Sequence, residues 1–194
     1  MTADGAPGRL QPLTDAERSA LLRLARRSIG HAVGAAGEPV VDESTLTPAL
    51  RAPGAAFVSL HRDHTLRGCV GTLSADRPLY EAVAAMAAAA AVNDPRFEPL
   101  TAAELTGLCI EISRLGPLVP AQPDQVVVGV HGVSIARGGR RAVFLPRVAV
   151  EQGWTRDQLL RELCLKASLP PEAWRSPEAR LYVFVAEVFA DVDG

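Results

Sequence analysis

The chain has 194 residues, 48% of them hydrophobic and 22% charged, and carries a net charge of −2. That suffices for a sizeable core, and it leaves no electrostatic footprint for nucleic acid or an anionic membrane surface. Three widely spaced cysteines without a CxxC (Cys69, Cys109 and Cys164) exclude a disulfide framework and a zinc knuckle, and the 5% aromatic content argues against a base-stacking platform.

The first residues, MTADGAPGRLQP, lack the basic and apolar regions of a secretory signal, and residues 1–11 read as a disordered tail. Helix signals begin at TDAE, where Thr14 and Glu17 stand at capping-box spacing. Leu21, Ala25, Ile29 and Val33 then recur on one helical face up to Gly34. Residues 37–54 are turn-rich and read as a long surface connection. Two strand-like runs, 56–62 and 66–73, flank a polar turn at Asp63 and predict a hairpin. A helix follows, with Pro78 in its first turn and Pro95 as its stop. Its uncharged run 82–93 is too short and too rich in alanine to cross a bilayer. Thr101 and Glu104 mark a short helix, and LCIEISRL alternates like a strand.

A second hairpin is expected around Gly138-Gly139 in GVHGVSIARGGRRAVFLP. Beyond it come the helical stretches VAVEQG and TRDQLLRELCLKA, the latter with a Thr155/Gln158 capping box, and then one β-prone run, RLYVFVAEVFA. Hairpin, helix and strand thus occur twice, over roughly 50–117 and 128–190. Adjacent hairpins argue for an α+β fold with a mainly antiparallel sheet rather than a doubly wound one.

Few residues stand out chemically. In LRGCVGTL, Cys69 lies between Gly68 and Gly71, and strand alternation puts Arg67 on its face. Cys69 is either a nucleophile, redox thiol or metal ligand, which needs a nearby cation or metal, or a small packed hydrophobe. The glycines mark a bend or a close backbone approach, or make room for a ligand. His61, His64 and His131 with Cys69 are either a Cys–His or metal cluster, short of a full ligand set, or exposed turn histidines. Asp94 and Arg96 around Pro95 are either a helix-stopping turn or a carboxylate–guanidinium pair at the mouth of a cleft. Glu111 sits in an apolar strand, and RGGRR reads as a solvated hairpin tip. No P-loop, GxGxxG, HExxH or GxSxG is present.

Taken in order, LRGCVGTL, DPRFEPL, EISRLGP, GVHGVSI, FLPRVAVEQGW and LYVFVAEVF resemble the AMMECR domain family, whose bacterial and archaeal form is protein A of the AmmeMemoRadiSam system. The resemblance spans residues 12–190 as a single domain. Val70 stands where the family commonly has isoleucine, and Glu98 where it commonly has proline. It implies two strand-and-helix repeats around a curved, mainly antiparallel sheet with flanking helices, and a cleft between a larger and a smaller lobe. The family carries no settled activity; for an enzyme, Cys69 as nucleophile or acid/base and Arg67 as its activator or anion-binding partner are the catalytic candidates. Gly68, Gly71, Thr72, Asp94, Arg96 and His131 are cleft candidates for substrate binding. The implied partners are a Memo-type protein and a radical S-adenosylmethionine protein, with an unidentified small-molecule or protein substrate. No cofactor or metal is expected, and the expected compartment is the cytoplasm. The rival expectation is a non-catalytic adaptor.

Overall fold

In the computed structural model, residues 10–191 are described, so most of the expected N-terminal tail falls outside them. Gln11, at the end of that stretch, accepts a hydrogen bond on its carbonyl from Arg114 Nη1 at 2.8 Å. The chain divides into two compact units, residues 11–115 with 187–191, and residues 116–186.

The first unit opens on α1 (Asp15–Ala32), capped as its sequence predicts by the reciprocal Thr14–Glu17 box. The turn-rich connection is more regular than expected. It holds a 3-10 turn (Glu43–Thr45) and a short helix, α2 (Pro48–Arg51), each begun by a side-chain cap from Asp42 or Thr47. Strands β1 (Ala55–Arg62) and β2 (Thr65–Gly71) form the predicted hairpin. Both turn residues, Asp63 and His64, have positive φ (48° and 61°), the geometry of a two-residue turn that matches strand twist. In α3 (Leu79–Val92), Pro78 is the N-cap rather than a first-turn residue: its ψ of 143° is extended and it stands outside the helix. After the 3-10 turn Ala102–Leu105 comes β3 (Leu108–Leu115).

The second unit contains β4 (Val119–Pro120), the hairpin β5 (Gly132–Arg137) and β6 (Arg140–Phe144), the helices α4 (Pro146–Glu151) and α5 (Arg156–Lys166), and β7 (Arg180–Phe184). The closing β-prone run does not make one strand. It breaks at Val185, and β8 (Ala186–Ala190) joins the other sheet. The strands therefore form two four-stranded sheets, ordered β2-β1-β3-β8 and β4-β7-β5-β6. Reversing the second order gives β6-β5-β7-β4, the same arrangement of hairpin, helix and returning strand in each sheet. The fold is α+β.

Each sheet buries one face under helices. Val58, Leu60, Ile110 and Ile112 are fully buried with Leu21 and Ile29 of α1 and Val83 and Ala87 of α3. The alanines of α3 bury little area each but let backbones approach closely. In the second unit Val133 and Ile135 pack with Leu159, Leu160, Leu163 and Cys164 of α5. The central strands carry matching triplets, Val58-Ser59-Leu60 and Val133-Ser134-Ile135, with the serine almost fully buried in both.

β8 is held into the first unit by Glu187. Its carboxylate accepts from Leu13 N–H (3.0 Å), Arg18 Nη2 (2.8 Å) and Arg114 Nη1 (3.3 Å).

Candidate functional site

Pairing register fixes which residues share the helix-free face of the first sheet. Ser59 lies opposite Cys69 on one side and Glu111 on the other, and His61 lies opposite Cys109. Directly paired residues project to the same face. Cys69, Ser59 and Glu111 therefore form a polar row across three strands, with His61 and Cys109 in the next row. Cys69 directs its backbone N–H and carbonyl away from β1, so it and Ser59 are a non-hydrogen-bonded pair, the kind in which side chains approach most closely. The Ser59 hydroxyl donates to Cys69 Sγ at 3.2 Å. Cys69 is half-buried, whereas Ser59 is only 2% exposed.

β2 is an edge strand, and the segment after α3 closes its edge. Asp94, whose side chain is 3% exposed, accepts the Cys69 N–H at 2.8 Å and Arg96 Nε and Nη2 at 2.9 and 2.6 Å. It also accepts the Arg96 N–H at 3.1 Å. Arg96 Nη2 in turn donates to the Cys69 carbonyl at 3.3 Å. Both outward backbone groups of Cys69 are thus satisfied by side chains, an arrangement that blunts an exposed edge. The bond from Arg96, and after it those from the Cys69 and Arg96 amides, hold the Asp94 carboxyl far below the usual range against the opposing effect of burial. The Arg96 guanidinium is pushed upward by Asp94 first, and the Cys69 side chain adds to that rise. Arg96 is therefore the cation that lies against the thiol.

Arg67 is not. Leu60 faces Gly68 while His61 faces Leu66, so a bulge leaves Arg67 as the extra residue and breaks the alternation that predicts a shared face with Cys69. Its Nε donates to Glu104 at 2.8 Å and its Nη1 to the Glu98 carbonyl at 2.8 Å. Arg67, with the Thr101 amide and hydroxyl, lowers the Glu104 carboxyl to about 2.

The glycines are explained by close approach. A Cβ on Gly68 would stand 2.2 Å from the Ala90 carbonyl oxygen near the end of α3, and one on Gly71 would meet the Phe57 ring at 2.1 Å. Neither missing side chain leaves an opening. Thr72 donates its N–H to the Ala56 carbonyl and accepts on Oγ1 from Ser74 N–H, so it closes the strand end. His131 lies in the second unit, where its Nδ1 accepts the Val127 N–H at 3.2 Å within the turn preceding β5.

Beside the polar row, a pocket of about 550 Å³ is lined by His61, Asp63, His64, Cys109, Glu111 and Asp191, with Gly107 and Ala190. Burial first, and then the Asp191 charge, push the Cys109 thiol upward. Among the described residues no group of three or more His, Cys, Asp or Glu is arranged to hold a metal.

Sequence reasoning singled out Cys69, Asp94, Arg96 and Glu111, and the structure places the first three in direct contact. It missed Ser59, although a serine amid the apolar run FVSL is a legible signal. It saw Glu104 only as a capping residue and not as the partner of Arg67.

An α+β protein of two units with matching sheet order, in which the segment after α3 clamps an edge strand, is a recognisable class. Residues 22–189 match the AMMECR1 family, and the chain belongs to it. A protein of Methanopyrus kandleri is 37% identical over 93% of this chain and 91% of its own length. A protein of Methanothermobacter thermautotrophicus is 36% identical over 92% of this chain and 96% of its own length. The crystal structure of an uncharacterized protein from Pyrococcus horikoshii superposes with a TM-score of 0.85 at 34% identity, covering 93% of this chain and 94% of that one.

Proposed function

We propose that this AMMECR1-family protein is component A of the AmmeMemoRadiSam system, and that it holds its substrate against the Cys69 thiol while a Memo-type protein and a radical S-adenosylmethionine protein act as its partners in the cytoplasm. The observation that carries this reading is the setting of Cys69. It is a half-buried thiol 3.2 Å from a serine hydroxyl, beside a guanidinium fixed on a buried carboxylate, in a strand whose edge is locked by side chains. A rigid backbone keeps the sulfur aimed, and its half-buried position leaves it reachable. Arg67, Asp94 and Arg96 serve the reading as positioning residues, since their polar atoms are engaged with one another, with Glu104 and with backbone. The chain brings no cofactor of its own in this scheme.

Alkylation of the folded protein with iodoacetamide, resolved by peptide mass spectrometry, tests it. Cys69 should label well ahead of Cys109 and Cys164, and Cys69→Ser should abolish system function while leaving partner binding intact. Equal labelling of Cys69 and Cys109, or an active Cys69→Ser protein, overturns the reading.

One feature favours the adaptor alternative. Val127, Val130 and Val150 are 48%, 53% and 60% exposed in the second unit, and Gly129 lies against Val150. Small exposed apolar groups of this kind suit a protein interface. Loss of partner capture in a Val130→Asp, Val150→Asp protein, with Cys69→Ser fully functional, would establish it.

A further inference from the structure

Away from the thiol, α1 carries a second concave surface. A pocket of about 410 Å³ lies between α1, residues 41–50 and the start of α3. That volume falls within the range of about 300–1,000 Å³ typical of small-ligand sites. Its floor is apolar: Leu21, Leu24 and Leu50 are buried, and Ala20 and Leu46 are partly so. Its rim is basic, with Arg23, Arg26 and Arg27 all contributed by α1.

The three arginines differ in how they are occupied. Arg26 is neutralised by Asp191 and also donates to the Leu108 carbonyl. Among the described residues Arg27 reaches only a carbonyl, that of Val40, at 3.3 Å. Arg23 has no hydrogen bond or ion pair among the described residues. Arg23 and Arg27 are four residues apart on one helix, where like charges repel. The single carboxylate of the lining, Asp42, is turned to Ser44, whose N–H and hydroxyl both donate to its Oδ1 at 2.9 and 2.6 Å. Among the described residues the repelling pair is therefore left without a carboxylate at the mouth of an apolar hollow.

We propose that this pocket binds a soluble amphipathic monocarboxylate. The aliphatic chain lies on Leu21, Leu24, Leu46 and Leu50, and the carboxylate bridges Arg23 and Arg27. Guanidinium forks match carboxylate oxygens geometrically, and an anion between the two relieves their repulsion. An apolar tail gains burial against Ala20 and Leu46, the partly exposed part of the floor, and packs over the already buried leucines beneath. The proposal is independent of Cys69 and of the partner proteins.

Titration of the full chain with octanoate, followed by ¹H–¹⁵N NMR, tests it. Octanoate should bind saturably, with shifts concentrated at residues 20–27, 41–50 and 80. Octanol and octylamine should bind at least tenfold more weakly, and butyrate likewise, because it lacks the tail. Arg23→Gln with Arg27→Gln should weaken octanoate at least tenfold while the unliganded protein keeps or raises its melting temperature. Leu46→Gln, at a partly exposed floor position, should weaken it without the charge change. Absence of saturable binding, equal binding of octanol, indifference to both variants, or association with phosphatidylglycerol vesicles in place of octanoate overturns the proposal.

Discussion

The buried carboxylate of Asp94 accepts the backbone N–H of Cys69 at 2.8 Å, across 25 residues of sequence, while Arg96 returns a bond to the carbonyl of the same cysteine. The two most distinctive motifs of the chain, LRGCVGTL and DPRFEPL, are thus halves of one clamp. Asp94→Ala removes the acceptor of two amides, those of Cys69 and Arg96. An orphaned amide costs about 1–3 kcal/mol, and urea unfolding should show a loss of that order or somewhat more. Asp94→Asn should recover part of it, since its side-chain oxygen still accepts.

The same clamp sets the acid response. Arg96 holds Asp94 far below its usual value, and Arg67 holds Glu104 down at about 2. In the unfolded chain both carboxyls bind protons at ordinary values near 4, so the unfolded state takes up protons first and stability rises with pH through that range. The contribution is complete above the unfolded values and is lost as pH falls through the folded ones. Stability measured between pH 5 and 2 should fall, and the slope should flatten in Asp94→Asn and in Glu104→Gln. An unchanged slope in both would contradict the assignment.

Gly68 and Gly71 answer differently to alanine. The obstacle at Gly68 is the backbone oxygen of Ala90, held in a helix, whereas at Gly71 it is the half-buried Phe57 side chain, met at Cγ, which moves only by a change of χ1 rotamer. Gly68→Ala should cost about 1–3 kcal/mol, the usual range for forcing extra volume into packed structure. Gly71→Ala should cost less, because a side chain can change rotamer where a helix carbonyl cannot move, and it should add little further loss when combined with Phe57→Ala, which removes the clashing atoms. Denaturant midpoints of the three proteins settle the order.

Glu187 gathers Leu13, Arg18 and Arg114 around one largely buried carboxylate. Glu187→Ala leaves an amide and two guanidiniums without their shared acceptor, and thermal unfolding should show a loss of about 2–4 kcal/mol. Glu187→Gln, which keeps an acceptor, should fall between the two.

Much of this architecture is legible in the sequence because it is local. Capping boxes at Thr14, Thr101 and Thr155, the Asp63-His64 and Gly138-Gly139 turns and the alternation of β3 all act within a few residues. What escapes is long-range. The bulge at Arg67 lies where His61 pairs with Leu66 and Leu60 with Gly68, and the extra residue is held by Glu104; nothing in LRGC announces it. The break at Val185 is equally hidden, because YVFVAEVF is β-prone throughout and only the competition of two sheets for its halves divides it. Cys69, Asp94 and Arg96 were visible as residues of interest, but Arg96 as the cation beside the thiol depends on a contact between distant segments.

The placement of β8 has a consequence for the order of synthesis. Residues 11–115 leave the ribosome first, yet their sheet is completed by a strand encoded after the whole second unit. Until Glu187 emerges, Leu13, Arg18 and Arg114 lack their common acceptor and β3 remains an open edge. The N-terminal half is therefore the last to be finished, and loss of the final strand would damage the beginning of the protein while the middle, whose four strands all lie between residues 119 and 184, keeps its sheet.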